Sequence, residues 1–240
     1  MLAFKIDPRV EQNWELLNGW HIQYEVTNKF TGHVGKKLFQ TYRYVEAARH
    51  MMQAKKKGAV EGEEVRVNVC ETGFNGGHSA MLFMRLNNEE AEGHVYYYDW
   101  NLKAFRAATP TVEKMKETFG EYFHITWGDS AETLKEADSV LQGQLCDIVV
   151  VDGVHSKEGV TNDWTNFLKV VRPGTIVFSD DCAPPNGLVQ ASAQMKEAWD
   201  AFVERKEILS VASYRNPTLK YSGFVEGVIP DGNGEYTLGI

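Results

Sequence analysis

The chain has 240 residues, 43% hydrophobic and 24% charged, enough apolar material for one globular domain with a full core. Its formal net charge is −8, and its only basic cluster, Lys55-Lys56-Lys57, falls where a helix C-terminus favours cations, so a nucleic-acid partner is not expected. No apolar run reaches the ~18 residues of a membrane span and no leader pattern opens the chain; the odd set Cys70, Cys146 and Cys182 points to reduced thiols in a cytoplasmic protein.

Asp7-Pro8 has the form of an N-cap followed by proline at the first helical position, with Val10, Trp14 and Leu17 recurring on one face. From Asn18 to Lys37 the chain is aromatic and punctuated by glycine, a composition that suits a substrate pocket as well as an ordinary core. A second helix is expected from about Thr41 to Lys57, with Val45, Ala48 and Met52 inward and Gly58 as its stop. Residues 1–63 therefore predict an N-terminal helical cover on the substrate side of a domain running from 64 to 240.

Val65, Val67 and Val69 alternate as in a buried strand, which ends at Cys70-Glu71 and breaks into Thr72-Gly73-Phe74-Asn75-Gly76-Gly77 before a helix opening at Ser79. Strand, glycine turn and helix start together bring backbone N–H groups to a ligand with no Cβ in the way. Glu71 at the strand tip argues against a pyrophosphate, which it would repel, and suits a ligand carrying an ammonium. A phosphate-cradling loop needs Lys-Ser or Lys-Thr after its glycines, and a dinucleotide fingerprint needs a second glycine that this turn lacks.

Strand and helix then alternate to the end. Strands are predicted at His94–Tyr98 (ending in Asp99-Trp100), Tyr122–Trp127 (ending in Gly128-Asp129-Ser130), Cys146–Val151 and Thr175–Ser179. The helices between them carry Val112, Met115 and Phe119; then Leu134, Ala137 and Leu141; then Val160, Trp164, Phe167 and Val171, stopped by Pro173-Gly174. After a long helix through Met195, Trp199 and Phe202, two strands near 207–214 and 221–229 stand close enough to pair. The fold class is therefore α/β: a seven-stranded, Rossmann-like sheet of five parallel strand–helix units plus a terminal hairpin. Ligands of such sheets lie beyond the carboxyl ends of the strands.

The pattern acid-x-Gly-x-x-x-Gly-x-Ser, here Glu71-Thr72-Gly73-Phe74-Asn75-Gly76-Gly77-His78-Ser79, resembles the first motif of class I S-adenosylmethionine methyltransferases. More narrowly it resembles the metal-dependent catechol and caffeoyl-CoA O-methyltransferase group. The resemblance covers roughly residues 60–230 and implies cofactor contacts from Glu71, Gly73, Phe74, Asn75, Gly77 and Ser79. It also implies that Asp99 accepts the ribose hydroxyls, that Trp100 lies against adenine, and that Asp129-Ser130 meet the adenine edge. Asp129 or Ser130 would serve equally as a helix N-cap.

The fourth strand ends Asp152-Gly153-Val154-His155 and the fifth Asp180-Asp181-Cys182. Three carboxylates side by side repel unless a cation sits among them, and oxygen ligands favour Mg²⁺, then Ca²⁺ or Mn²⁺. The resembled group binds its metal through an Asp after the fourth strand and an Asp-Asn pair after the fifth; Asp181 departs from that asparagine, as in related sugar O-methyltransferases. His155 stands where the catechol type has its lysine base, and neutral imidazole suits proton removal near neutrality. Asp152 is thus expected both at the cofactor and at the metal, His155 as base, and Lys157 as the reserve. Zinc is disfavoured, since no second His or Cys lies nearby, and no G-x-S-x-G elbow supports serine chemistry.

The expected activity is methyl transfer to the hydroxyl of a small molecule. A metal-independent methyltransferase acting on nitrogen or a sugar, and a non-catalytic binding module, stay open, as does a homo-oligomer.

Overall fold

The computed structural model describes residues 38–89, 93–101, 108–182, 190–215 and 223–235. The expected first helix, the aromatic stretch from Asn18 to Lys37 and the Pro184-Pro185 loop lie outside them. Seven strands form one sheet in the order β3-β2-β1-β4-β5-β7-β6. They are β1 (Arg66–Thr72), β2 (His94–Asn101), β3 (Phe123–Trp127), β4 (Ile148–Val151), β5 (Ile176–Asp180), β6 (Leu209–Arg215) and β7 (Gly223–Val228). β4 runs parallel to both β1 and β5, while β7 is antiparallel to its neighbours β5 and β6. The closing hairpin thus pairs as expected, but its second strand is the one inserted beside β5. Strand order reverses between β1 and β4, the point at which ligands of such sheets bind.

By its backbone contacts the chain divides into two compact units. Among the described residues, the first holds 38–66, 74–89, 93–97 and 108–124. In it α1 (Leu38–Gly58) begins three residues before the expected Thr41 and ends on Lys55, Lys56 and Lys57, whose charges oppose the helix dipole. With α2 (His78–Glu89) and α3 (Ala108–Phe119) it encloses a run of rings. Tyr44 stacks on Phe83 (5.6 Å), Phe83 on Tyr97 (6.3 Å) and Tyr97 on Phe123 (5.8 Å). Gly77, at φ 79°, turns the chain into α2; a Cβ there would meet the Phe74 ring at 2.7 Å.

The second unit holds, among the described residues, 67–73, 98–101, 125–182, 190–215 and 223–235. Its helices are α4 (Ser130–Thr133), α5 (Ala137–Val140), α6 (Lys157–Phe167) and α7 (Gln190–Glu204). The single helix expected over Leu134, Ala137 and Leu141 is instead two short turns joined by a 3₁₀ turn at Leu134–Glu136, and all three side chains are buried. Spacings of three and four satisfy either geometry, so the pattern could not distinguish them. α6 stops at Phe167, and Val170 rather than Val171 is buried. Trp164 packs edge-on to Trp199 at 5.7 Å, locking α6 to α7.

β4 is shorter than the expected Cys146–Val151. Asp147 at its foot accepts from the Asn68 backbone N–H (2.8 Å) and from the Arg172 guanidinium, which explains an acid within an apolar run. The expectation of three reduced cysteines is corrected: Cys70 and Cys146 are joined by a disulfide, and Cys182 is the free, buried one. No helix among the described residues is long and apolar enough to cross a membrane.

Candidate active site

Within the second unit, the carboxyl ends of β1, β2, β4 and β5 carry acids in succession. Val67 and Val69 are fully buried, and β1 delivers Glu71 and Thr72 to its tip with both side chains buried. Gly73 follows at φ 108°, its N–H bonded to the Trp100 carbonyl (3.3 Å). A Cβ on Gly73 would stand 2.1 Å from the Asp152 carbonyl oxygen, so β1 and β4 approach as closely as they do only because this residue is glycine. β2 continues three residues beyond the expected Tyr98, to Asn101, and places Asp99 in the interior.

Trp100 is a correction. It is 1% exposed and packs edge-on to Phe167 at 5.7 Å, so it serves as core and leaves no open face for an adenine. Next to β3, Asp129 takes the N-cap role, its carboxylate accepting from the Ala131 N–H at 3.0 Å, while Ser130 is buried. Phe74, Asn75, Gly77 and Ser79 belong to the first unit, where Phe74 is fully buried and Asn75 lies at φ 45°.

The ends of β4 and β5 carry the charged cluster. His155 stands between two carboxylates, its Nε2 3.5 Å from Asp152 and its Nδ1 3.7 Å from Asp181. The hydrogen bond to Asp152 raises the imidazole above its ordinary range; burial opposes this, and the nearby Asp181 and Asp180 reinforce it. Asp181 sits at φ 53° and donates its backbone N–H to the buried Asp180 carboxylate (2.9 Å). Lys157, the reserve base, pairs with Glu197 of α7 at 3.0 Å, both side chains more than half exposed. Cys182 is no nucleophile either: burial pushes its thiol up to about 12.

The expected convergence of Asp152, Asp180 and Asp181 on a metal is not what the side chains form. Among the described residues no group of three His, Cys, Asp or Glu is arranged to hold an ion. The Asp180 carboxylate is engaged by a backbone N–H, and the imidazole fills the gap between the other two acids.

Solved methyltransferases share this fold. TomG, an O-methyltransferase of Streptomyces achromogenes involved in tomaymycin synthesis and solved with S-adenosylmethionine, aligns at a TM-score of 0.62 and 16% identity over 95% of this chain and 92% of its own. An O-methyltransferase from Bacillus cereus, solved with S-adenosylhomocysteine, aligns at 0.58 and 13% identity over 95% and 93%. The methyltransferase PaMTH1 of Podospora anserina, also bound to S-adenosylhomocysteine, gives 0.61 and 15% over 96% and 91%. No curated protein sequence matches the chain. Residues 70–182, from the tip of β1 to the end of β5, match the family model of a methyltransferase domain. The chain has the fold of class I S-adenosylmethionine-dependent methyltransferases, with a methyltransferase-domain match over its central residues.

One residue at these strand ends escaped the sequence reading. Asp163 on α6 is 0% exposed, and its Oδ2 accepts from the Thr72 hydroxyl at 2.9 Å. The signal was present: an acid falls within the inward stripe Val160, Asp163, Trp164, Phe167, where an apolar residue belongs. Burial raises the Asp163 carboxyl to about 6, against the Ser130 and Thr72 hydroxyls, which favour its charge. A carboxyl raised on folding binds its proton more tightly in the native state, so stability falls as pH rises from the unfolded value near 4 to about 6, by roughly 3 kcal/mol. Asp163→Asn is expected to remove that slope, which chemical denaturation across this pH range measures; an unchanged slope would refute the assignment.

Proposed function

We propose that this chain moves the methyl group of S-adenosylmethionine to a hydroxyl of a small molecule, with His155 taking the hydroxyl proton. The observation that carries the reading is the pairing of His155 with Asp152 at the end of β4, in a fold shared with O-methyltransferases. The cofactor supplies an electrophilic methyl on a sulfonium, and the chain's task is to hold it in line with the acceptor oxygen. Glu71 offers a carboxylate to the cofactor's ammonium and Asp99 one to its ribose hydroxyls. Asp152 and Asp181 orient the imidazole and favour its protonated form as the proton arrives.

Divalent-metal assistance is a separate part of the proposal and rests on the sequence pattern Asp152…Asp180-Asp181. In the described arrangement His155 holds the place between these acids, so no step is assigned to an ion. EDTA separates the two readings: a loss of turnover reversed by Mg²⁺ supports a metal, and unchanged turnover favours the metal-independent alternative. A cytoplasmic location and a homo-oligomer stay proposals of the same kind, answered by fractionation and by light scattering.

The primary test is titration calorimetry with S-adenosylhomocysteine, followed by a panel of catechols, phenols and sugars. Saturable binding with methyl transfer to an oxygen is expected. Binding without transfer to any acceptor would favour a non-catalytic module, and transfer to nitrogen alone would redirect the proton chemistry. Asp99→Ala is expected to weaken the cofactor by about tenfold or more, since each charge-assisted hydrogen bond is worth roughly 1.5–3 kcal/mol; wild-type affinity would sink the ribose assignment.

A further inference from the structure

A fully buried carboxyl on α6 is an expensive choice for a packing position, because an apolar side chain of similar size would cost folding less. Asp163 is such a residue, and its Oδ1 is buried with no hydrogen-bond partner. Its other oxygen accepts from Thr72, which lies in the chain between Glu71 and Gly73. The Thr72 carbonyl in turn accepts from the Asp152 N–H at 3.0 Å. Gly153 closes the group: a Cβ there would stand 3.1 Å from Asp163 Oδ2 and from Thr72 Cβ and Oγ1. Helix α6, the β1 tip and the loop after β4 therefore meet at one hydrogen bond.

We propose, resting on the cofactor reading above, that Asp163 is a positioning residue: it holds the Thr72 hydroxyl and thereby fixes the Glu71–Gly73 tip against Asp152 and Gly153 for cofactor binding. Glu71 and Gly73 move with Thr72 because they are its chain neighbours. A tip already fixed before the cofactor arrives spares the ordering cost that a loose one would incur on binding. The high value of the buried carboxyl shows how poorly this place solvates a charge, in keeping with a geometric role over an electrostatic one.

Calorimetric titration of S-adenosylhomocysteine into wild type, Thr72→Val, Asp163→Ala, Asp163→Asn and the Thr72→Val/Asp163→Ala double variant tests this. Thr72→Val and Asp163→Ala are expected to bind about tenfold more weakly, the loss of one net hydrogen bond. Asp163→Asn should stay within about threefold of wild type, because its amide carbonyl still accepts from Thr72. The double variant should be no weaker than Asp163→Ala, since both changes delete the same link. Thr72→Val is expected to lower the melting temperature by a few degrees, because a buried acceptor loses its donor, while the acceptor KM, read well below that temperature, stays at the wild-type value, which separates positioning from a general loss of structure. The inference is overturned if Thr72→Val binds like wild type, if asparagine fails to rescue, or if the acceptor KM rises in step with the loss of affinity. Should Asp163→Ala not fold, Thr72→Val and Asp163→Asn decide the matter. A wild-type protein that binds no S-adenosylhomocysteine would overturn the cofactor reading itself, and this inference with it.

Discussion

Replacing His155 by alanine is expected to lower turnover by about 10²–10⁴, the usual contribution of a positioned general base. The imidazole must be neutral to accept a proton, and its pairing with Asp152 holds its pKa above the ordinary 6.5. Wild-type turnover should therefore climb as pH rises through that raised value, and the climb should be absent in the alanine variant. Asp181→Asn removes a carboxylate that favours the imidazolium, so it should move the rising limb to lower pH without abolishing it. Initial rates over about two pH units either side of neutrality measure all three curves. An alanine variant with the wild-type profile would make His155 structural and leave the proton without a taker at this site.

Gly73→Ala is expected to cost the most among changes that leave charge untouched. The residue lies at φ 108°, where an L side chain costs about 1–3 kcal/mol, and the added methyl would overlap the Asp152 carbonyl at 2.1 Å. That neighbour is backbone and cannot rotate away, so the β1 and β4 ends must part. The melting temperature should fall by about 5–10 °C, given roughly 2–4 °C per kcal/mol in a chain of this size. Binding of S-adenosylhomocysteine should fall as well, since Glu71 and Asp152 sit on the two parting ends. Differential scanning calorimetry with and without ligand reads both effects, and a variant that melts and binds like wild type would contradict the close approach.

The strand–helix alternation was legible because apolar spacing reports directly which face of an element is buried. Val65, Val67 and Val69, the apolar run of β4 and the stripe Val160, Trp164, Phe167 all lie inside as their periods require. Glycine and acid at the tip of β1 were enough to turn the reading from phosphate toward a cationic ligand, and the methyltransferase match over residues 70–182 agrees with that choice. Trp100 misled for a physical reason: a large ring after a strand-tip acid has the same sequence signature whether it faces a ligand or Phe167. The pairing of Lys157 with Glu197 spans forty positions that no local pattern connects.

What the amino-acid order alone determined was the succession of seven strands and the acids at their ends, since both follow from local periodicity and turn chemistry. Which side chains meet was decided by the packed structure: Thr72 with Asp163 across 91 positions, Cys70 with Cys146 across 76, and His155 lodged between Asp152 and Asp181. Such pairings depend on strand order and helix docking, which close-range patterns do not encode.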